Sequence, residues 1–198
     1  MAVASWPDGL RWNSIEVQPV VPGQINRRSG PPHNPRPPEW RIVTTLLRRA
    51  DDEMSRFLSS LGGADTVVEL PLYGDNVYLP PRKAKADDGE WAVTNARLGE
   101  RYLEVTVRPR SDAQAPPGCL VQVGNASSSR LYEVSEADGG SLMLSPRVAP
   151  PTGTTRLLRA DTVRCRLDSS NDPRWGVRST NVVGSFPGTT ISWREEIE

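Results

Sequence analysis

The sequence is poor in the residues on which most protein chemistry depends. Its 198 residues include one histidine, two cysteines and two phenylalanines. A metal site built on imidazoles needs several histidines, and a Ser-His-Asp or Cys-His apparatus would have to recruit His33. That residue stands between Pro32 and Asn34 in a proline-rich stretch, where a solvated loop position is the plainer reading. Cys119 and Cys165 show no CxxC spacing, and each falls in an alternating apolar run, so they read as small buried hydrophobes. They leave room for one bridge at most and do not make a disulfide framework. There is no P-loop, no GxGxxG after a strand, no HExxH and no GxSxG, so no catalytic apparatus, metal or cofactor is expected. No apolar run approaches the roughly 18 residues that cross a bilayer. The opening MAVASWPDGLRW lacks a charged segment followed by an apolar one, so synthesis and folding in the cytoplasm are expected. A basic excess is missing too. With 24 Lys+Arg against 24 Asp+Glu, the chain is set apart from dedicated nucleic-acid binders and from proteins that adhere to anionic membranes.

Breakers, by contrast, are abundant. The 19 prolines and 16 glycines make up 35 of 198 residues. That exceeds the roughly 12% of ordinary usage but stays below the roughly 25% of low-complexity chains, and it excludes long helical bundles. A turn-rich, all-β chain is expected. A weak strand is read at 14–21, with Pro19 pointing to an edge because proline cannot donate to a ladder. Residues 22–38, PGQINRRSGPPHNPRPP, support no regular element and read as an arm with polyproline II character at its end. In EWRIVTTLL, Trp40, Ile42, Thr44 and Leu46 alternate with polar or smaller residues, which is a strand pattern. The period then changes. Met54, Phe57, Leu58 and Leu61 form one stripe of a helix over about 51–62, with Asp51, Asp52 and Glu53 in its first turn and Gly62-Gly63 after it.

TVVELPLY (66–73) returns to a strand, and 74–90 read as a charged loop in which Arg82, Lys83 and Lys85 are followed by Asp87, Asp88 and Glu90. Strands follow at 101–109 and 119–124, and the segments flanking Ala137-Asp138-Gly139-Gly140 form a hairpin. Residues 155–168 make one bent strand or two, 169–188 form a long loop around Trp175, and 189–196 form the last strand. The count is nine or ten strands and one helix.

Several blocks taken together resemble a known family. They are the WP start, GQINRRSG, PPEWRI, DDEMSRFLSSLGGADTVVELPL, PPGCLVQVG, RLYEVSEADGGSLMLSPRVAPPTGTT and TVRCRLDSSNDPRWGV. They are similar to the distal tail proteins of long non-contractile-tailed bacteriophages, over about residues 6–175. The resemblance implies a tail-tube-like β-sandwich or split β-barrel with one flanking helix. It also implies a homohexameric ring in the tail tip of the virion, joining the tail tube protein to the tip hub and fibre proteins. In domain terms, an extended segment and arm (1–38) would precede a β domain (39–198). The chain has little room for the separate carbohydrate-binding domain of some larger relatives.

A ring subunit must expose two different complementary surfaces. The zero net charge is a sum of unlike parts: seven basic against three acidic residues over 1–50, six against eleven over 51–104, and eleven against ten over 105–198. The positive arm, through Arg27, Arg28 and Arg36, is expected to meet the negative middle of a neighbouring subunit, although ordinary solvation explains both. Arginine supplies 22 of the 24 basic residues, which suits interfaces and equally suits a GC-rich genome. Trp6, Trp12 and Trp175 lie among breakers and are interface candidates; Trp40 reads as core, and Trp91 as an anchor for the charged loop. Asp87, Asp88 and Glu90, or alternatively Asp51, Asp52 and Glu53, would line a channel and repel passing DNA. Three other readings stand beside this one, the first being another tail or head–tail connector subunit. A carbohydrate- or receptor-binding β-sandwich needs an aromatic platform, and a cell-wall hydrolase needs a carboxylate pair in a cleft.

Overall fold

The computed structural model describes residues 3–7, 12–20, 39–46, 56–57, 60–61, 66–75, 77–79, 81, 83, 85–109, 114–168 and 190–196. Among them the chain is mainly β, with thirteen strands: β1 (Val3–Ser5), β2 (Trp12–Val20), β3 (Glu39–Leu46), β4 (Val67–Pro71), β5 (Val77–Leu79), β6 (Glu90–Leu98), β7 (Leu103–Pro109), β8 (Leu120–Gly124), β9 (Ser129–Asp138), β10 (Ser141–Ser145), β11 (Arg156–Arg159), β12 (Thr162–Leu167) and β13 (Thr190–Glu195). They fall into two compact units, and Lys83–Ala160 of the second lies in sequence between β5 and β12 of the first.

The first unit is built on a mixed seven-stranded sheet in the order β1-β4-β12-β13-β3-β2-β5. Period-2 alternation makes these segments strands with one buried face. Trp40, Ile42 and Thr44 are buried while Arg41, Val43 and Thr45 are half-buried, and on β13 Ile191, Trp193 and Glu195 alternate with Ser192 and Arg194. The apolar side includes Val68, Leu70, Val163, Cys165, Ile191 and Trp193, each at most 2% exposed. Burial of such side chains contributes roughly 1.5–3 kcal/mol apiece. The one buried hydroxyl among them is satisfied: Thr44 Oγ1 accepts from Trp193 Nε1 at 3.0 Å and donates to the Ile191 carbonyl at 3.4 Å. Pro19 lies beyond Ser14, the last β2 residue in register with β5, so its missing N–H interrupts no pairing with that strand.

The second unit is a closed barrel of six antiparallel strands, in the order β6-β7-β10-β9-β8-β11 and back to β6. β8, β9 and β10 run as consecutive neighbours, and β11 returns to lie beside β8, which is a Greek-key arrangement. Closure leaves no open edge. Trp91, Leu103, Val105, Val107, Cys119, Val121, Val123, Tyr132, Val134, Leu142, Leu144 and Leu157 fill the interior. Two register shifts, between Val93 and Asn95 on β6 and between Met143 and Leu144 on β10, bend the strands as closure requires. The expected hairpin is present. Gly139 and Gly140 carry φ of +51° and +98° between the paired residues Asp138 and Ser141, the positive-φ pair that a two-residue type I′ turn demands.

The strand count of nine or ten is corrected upward. β1 and β5 are three-residue strands held by parallel pairing to β4 and β2, too short to show a period, and β5 falls inside the expected loop at 74–90. β6 was missed for a different reason. Its inward residues are Trp91 and Val93 and then, past the register shift, Ala96, so the alternation changes phase within the strand. Residues 155–168 are two strands in different sheets. The Ala160 N–H donates to the Leu120 carbonyl, and the next residue's carbonyl, of Asp161, accepts from Leu72 N–H at 2.8 Å. The expected helix at 51–62 falls largely outside the described residues. Arg56, Phe57 and Ser60 are helical, and Leu61 N–H donates to the Phe57 carbonyl at 3.2 Å. Both cysteines are buried and free, as their apolar context implied.

Candidate functional site

β6, β8 and β10 begin, and β7, β9 and β11 finish, at one end of the barrel. A groove of about 410 Å³ opens there. It is lined by Trp91, Val107 and Leu142 from the strand ends, by Gln114, Ala115, Pro116 and Pro117 from the loop before β8, and by Ala137, Asp138, Gly139 and Gly140 from the hairpin. Trp91, Val107 and Leu142 belong to the interior core, so the groove floor continues the barrel packing. Proline then glycine at the centre of a tight turn shapes one wall. The Cys119 N–H donates back to the Pro116 carbonyl at 3.2 Å across Pro117 and Gly118, whose φ is +84°. At the hairpin the Val107 N–H donates to the Gly140 carbonyl at 2.8 Å, and a Cβ on Gly140 would lie 3.0 Å from the Val107 carbonyl oxygen.

The three carboxylates expected to line a channel come to this same end. Asp87 fastens the loop: its Oδ2 accepts from Gln114 N–H at 2.8 Å, and its own N–H donates to the Gln114 carbonyl at 3.0 Å. Asp88 meets Arg159 at 2.6 Å. Its side chain is 86% exposed, so the pair is worth about 0–1 kcal/mol. Glu90 opens β6 opposite Leu158, next to Trp91. Asp138, which the sequence marked only as a turn residue, lies at this end too and is the one acidic or basic residue among the described lining residues. Arg108 follows Val107 but alternates to the outer face of β7, where it is exposed. Apolar side chains, bare glycine backbone and one carboxylate make up the described lining of the groove.

No family model matches this sequence, and no curated protein matches it.

The remaining candidates are placed as follows. Trp6 is buried, with its ring edge-on to Phe57 at 5.1 Å and to Trp193 at 6.3 Å, so its apolar surface is engaged within the chain. Trp12 starts β2 in register with Val77, and its side chain lies outside the described residues. Arg27, Arg28, Arg36, Trp175 and the alternative set Asp51, Asp52 and Glu53 also lie outside them. Trp91 is 3% exposed and anchors the groove floor rather than presenting an open ring face.

The Cys119 thiol, which immediately follows the loop, is pushed up to about 12 by burial, with its own backbone hydrogen bond working against the shift and the Glu133 charge adding to it. It is a neutral, unreactive packing group at physiological pH. Burial also raises Cys165, helped by Glu195. Among the described residues no three His, Cys, Asp or Glu side chains gather as metal ligands, and no helix is long and apolar enough to cross a membrane.

Sequence reasoning also missed a charged row on the polar face of the first unit's sheet. Arg166, Arg194 and Arg41 are direct cross-strand neighbours on β12, β13 and β3. Adjacent like charges repel, and local partners offset this. Arg194 pairs with Asp168 at 2.9 Å, Arg166 pairs with Glu196, and Arg41 donates to Ser192 Oγ at 3.0 Å. Alternation alone predicts that arginine, aspartate and glutamate share this face. Only the register brings the three arginines level.

Proposed function

We propose that this chain is a non-enzymatic structural subunit of a phage tail tip. In this reading it forms a ring, a homohexamer in the virion, that joins the tail tube to the tip hub and fibres. One observation carries the reading. Two of the blocks that carry the resemblance, PPGCLVQVG and RLYEVSEADGGSLMLSPRVAPPTGTT, contain the turn before β8 and the strands β8, β9 and β10, and both supply lining residues of the barrel-end groove. That end bears Asp87, Asp88, Glu90 and Asp138 together with Arg108 and the Asp88-paired Arg159, while the arm at 22–38 holds three arginines and no carboxylate. Unlike, complementary surfaces on one chain are what a head-to-tail ring requires. A glycan-binding role draws less support, because Trp6, Trp40, Trp91 and Trp193 are all buried and offer no aromatic platform among the described residues.

The test is the mass and rotational symmetry of the purified chain, alone and mixed with the tail tube protein of the same particle, by mass photometry and negative-stain imaging. The expected result is a closed ring of six subunits, at least in the mixture. A chain that stays monomeric in both conditions overturns the proposal.

A further inference from the structure

We propose that the barrel-end groove is the docking site for the proline-rich segment Pro31–Pro38 of a second copy of this chain. This inference rests on the ring reading and names the contact that would close the ring. Three observations point to that occupant. The groove is floored by the buried Trp91, Val107 and Leu142, and its rim includes the Pro116-Pro117 turn and the side-chain-free backbone of Gly139 and Gly140. Such a rim suits a segment that presents proline rings and brings few backbone donors of its own. The chain supplies such a segment in PPHNPRPP at 31–38.

Size is consistent as well. A polyproline II turn takes three residues and about 9 Å, and a groove of about 410 Å³ lies at the small end of the ligand-site range, which suits one such turn. Because proline fixes φ, the segment is already restricted before docking, and less entropy is lost on binding. Charge matches too. Asp138 is the one acidic or basic residue among the described lining residues, Asp87 holds the adjoining Gln114, and the segment carries Arg36 and no acidic residue.

The experiment uses the full-length chain with residues 31–38 replaced by a Gly/Ser segment of equal length, so that its own arm does not compete. A fluorescein-labelled peptide, SGPPHNPRPP, is titrated into it and anisotropy is followed. Saturable binding is expected, lost when alanine replaces the prolines. Asp138→Arg in the receptor, at an exposed turn position that leaves the core intact, should weaken binding about fivefold or more. The peptide carrying Arg36→Glu should lose a similar factor on the unchanged receptor, and pairing it with Asp138→Arg should recover most of the loss, as a direct contact requires. No saturable binding, or binding indifferent to Asp138→Arg, overturns the inference. So does a ring that assembles undiminished from the Gly/Ser-replaced chain, an outcome that leaves the ring reading intact. A chain that never forms a ring but binds the peptide in this pattern supports the groove's specificity and overturns the ring reading instead.

Discussion

Substitutions at the two glycines of the β9–β10 turn should behave unequally, and the inequality tests both the hairpin and the groove it shapes. Gly140 holds φ at +98°, a conformation that L-residues adopt only under strain, at about 1–2 kcal/mol. Alanine there also brings a Cβ to 3.0 Å from the Val107 carbonyl oxygen, which is backbone of the neighbouring strand and cannot rotate away. Relief means opening the Val107 N–H bond to the Gly140 carbonyl, 2.8 Å long, whose net worth is about 1 kcal/mol. Gly140→Ala should therefore cost about 2–3 kcal/mol. Gly139 sits at φ +51°, inside the left-handed region that asparagine tolerates, and a Cβ there meets nothing within 4 Å. Gly139→Asn should cost less than about 1 kcal/mol. Urea unfolding followed by far-ultraviolet circular dichroism reads the difference as a lower midpoint with unchanged slope. If Gly140→Ala were as mild as Gly139→Asn, the turn would not be the tight two-residue turn described, and Asp138 would not be positioned at the groove.

Four further outcomes are expected. Thr44→Val removes the acceptor of the buried Trp193 indole N–H and should cost about 1–3 kcal/mol in the same unfolding measurement, more than a Thr→Val change at the exposed Thr106. Both thiols should resist Ellman's reagent in the folded protein at pH 8 and react once it is denatured. Because Cys119 titrates near 12 when folded and near 9 when unfolded, its contribution to stability should be intact below pH 9 and be lost as pH rises toward 12, which alkaline unfolding curves of the wild type and Cys119→Ala will compare. Charge reversal of Arg27 and Arg28 should weaken ring assembly in low salt and matter less as salt rises, as read by light scattering; assembly that is unchanged at low salt refutes the role given to the arm.

How much was legible depended on how far each feature reaches along the chain. The hairpin at Asp138–Ser141 was readable because a two-residue turn is written in consecutive residues, and the burial of both cysteines followed from their immediate neighbours. β6 was not readable, because its register shift puts Trp91 and Ala96 on the same side at an odd spacing. The groove was half readable. Its turn and its Pro-Pro-Gly loop are local, yet nothing in the sequence announces that Trp91, Val107 and Leu142, on three different strands, meet beside them. The acidic trio was identified as a group, but its meeting with Asp138 at one end of the barrel depends on strand order.

By itself, then, the sequence determined the β character of the chain, the faces of its longer regular strands and the position of the Asp138–Ser141 turn, because alternation, proline and glycine act over a few residues. Only the tertiary structure decided that the strands divide between a mixed sheet and a closed barrel, and that residues 155–168 break at Ala160 to serve both. The physical reason is that a strand's hydrogen-bonding edges are nearly alike from one segment to the next. Which edge pairs with which is settled by long-range packing, and in this protein that choice placed an apolar groove and four carboxylates at the same end of the barrel.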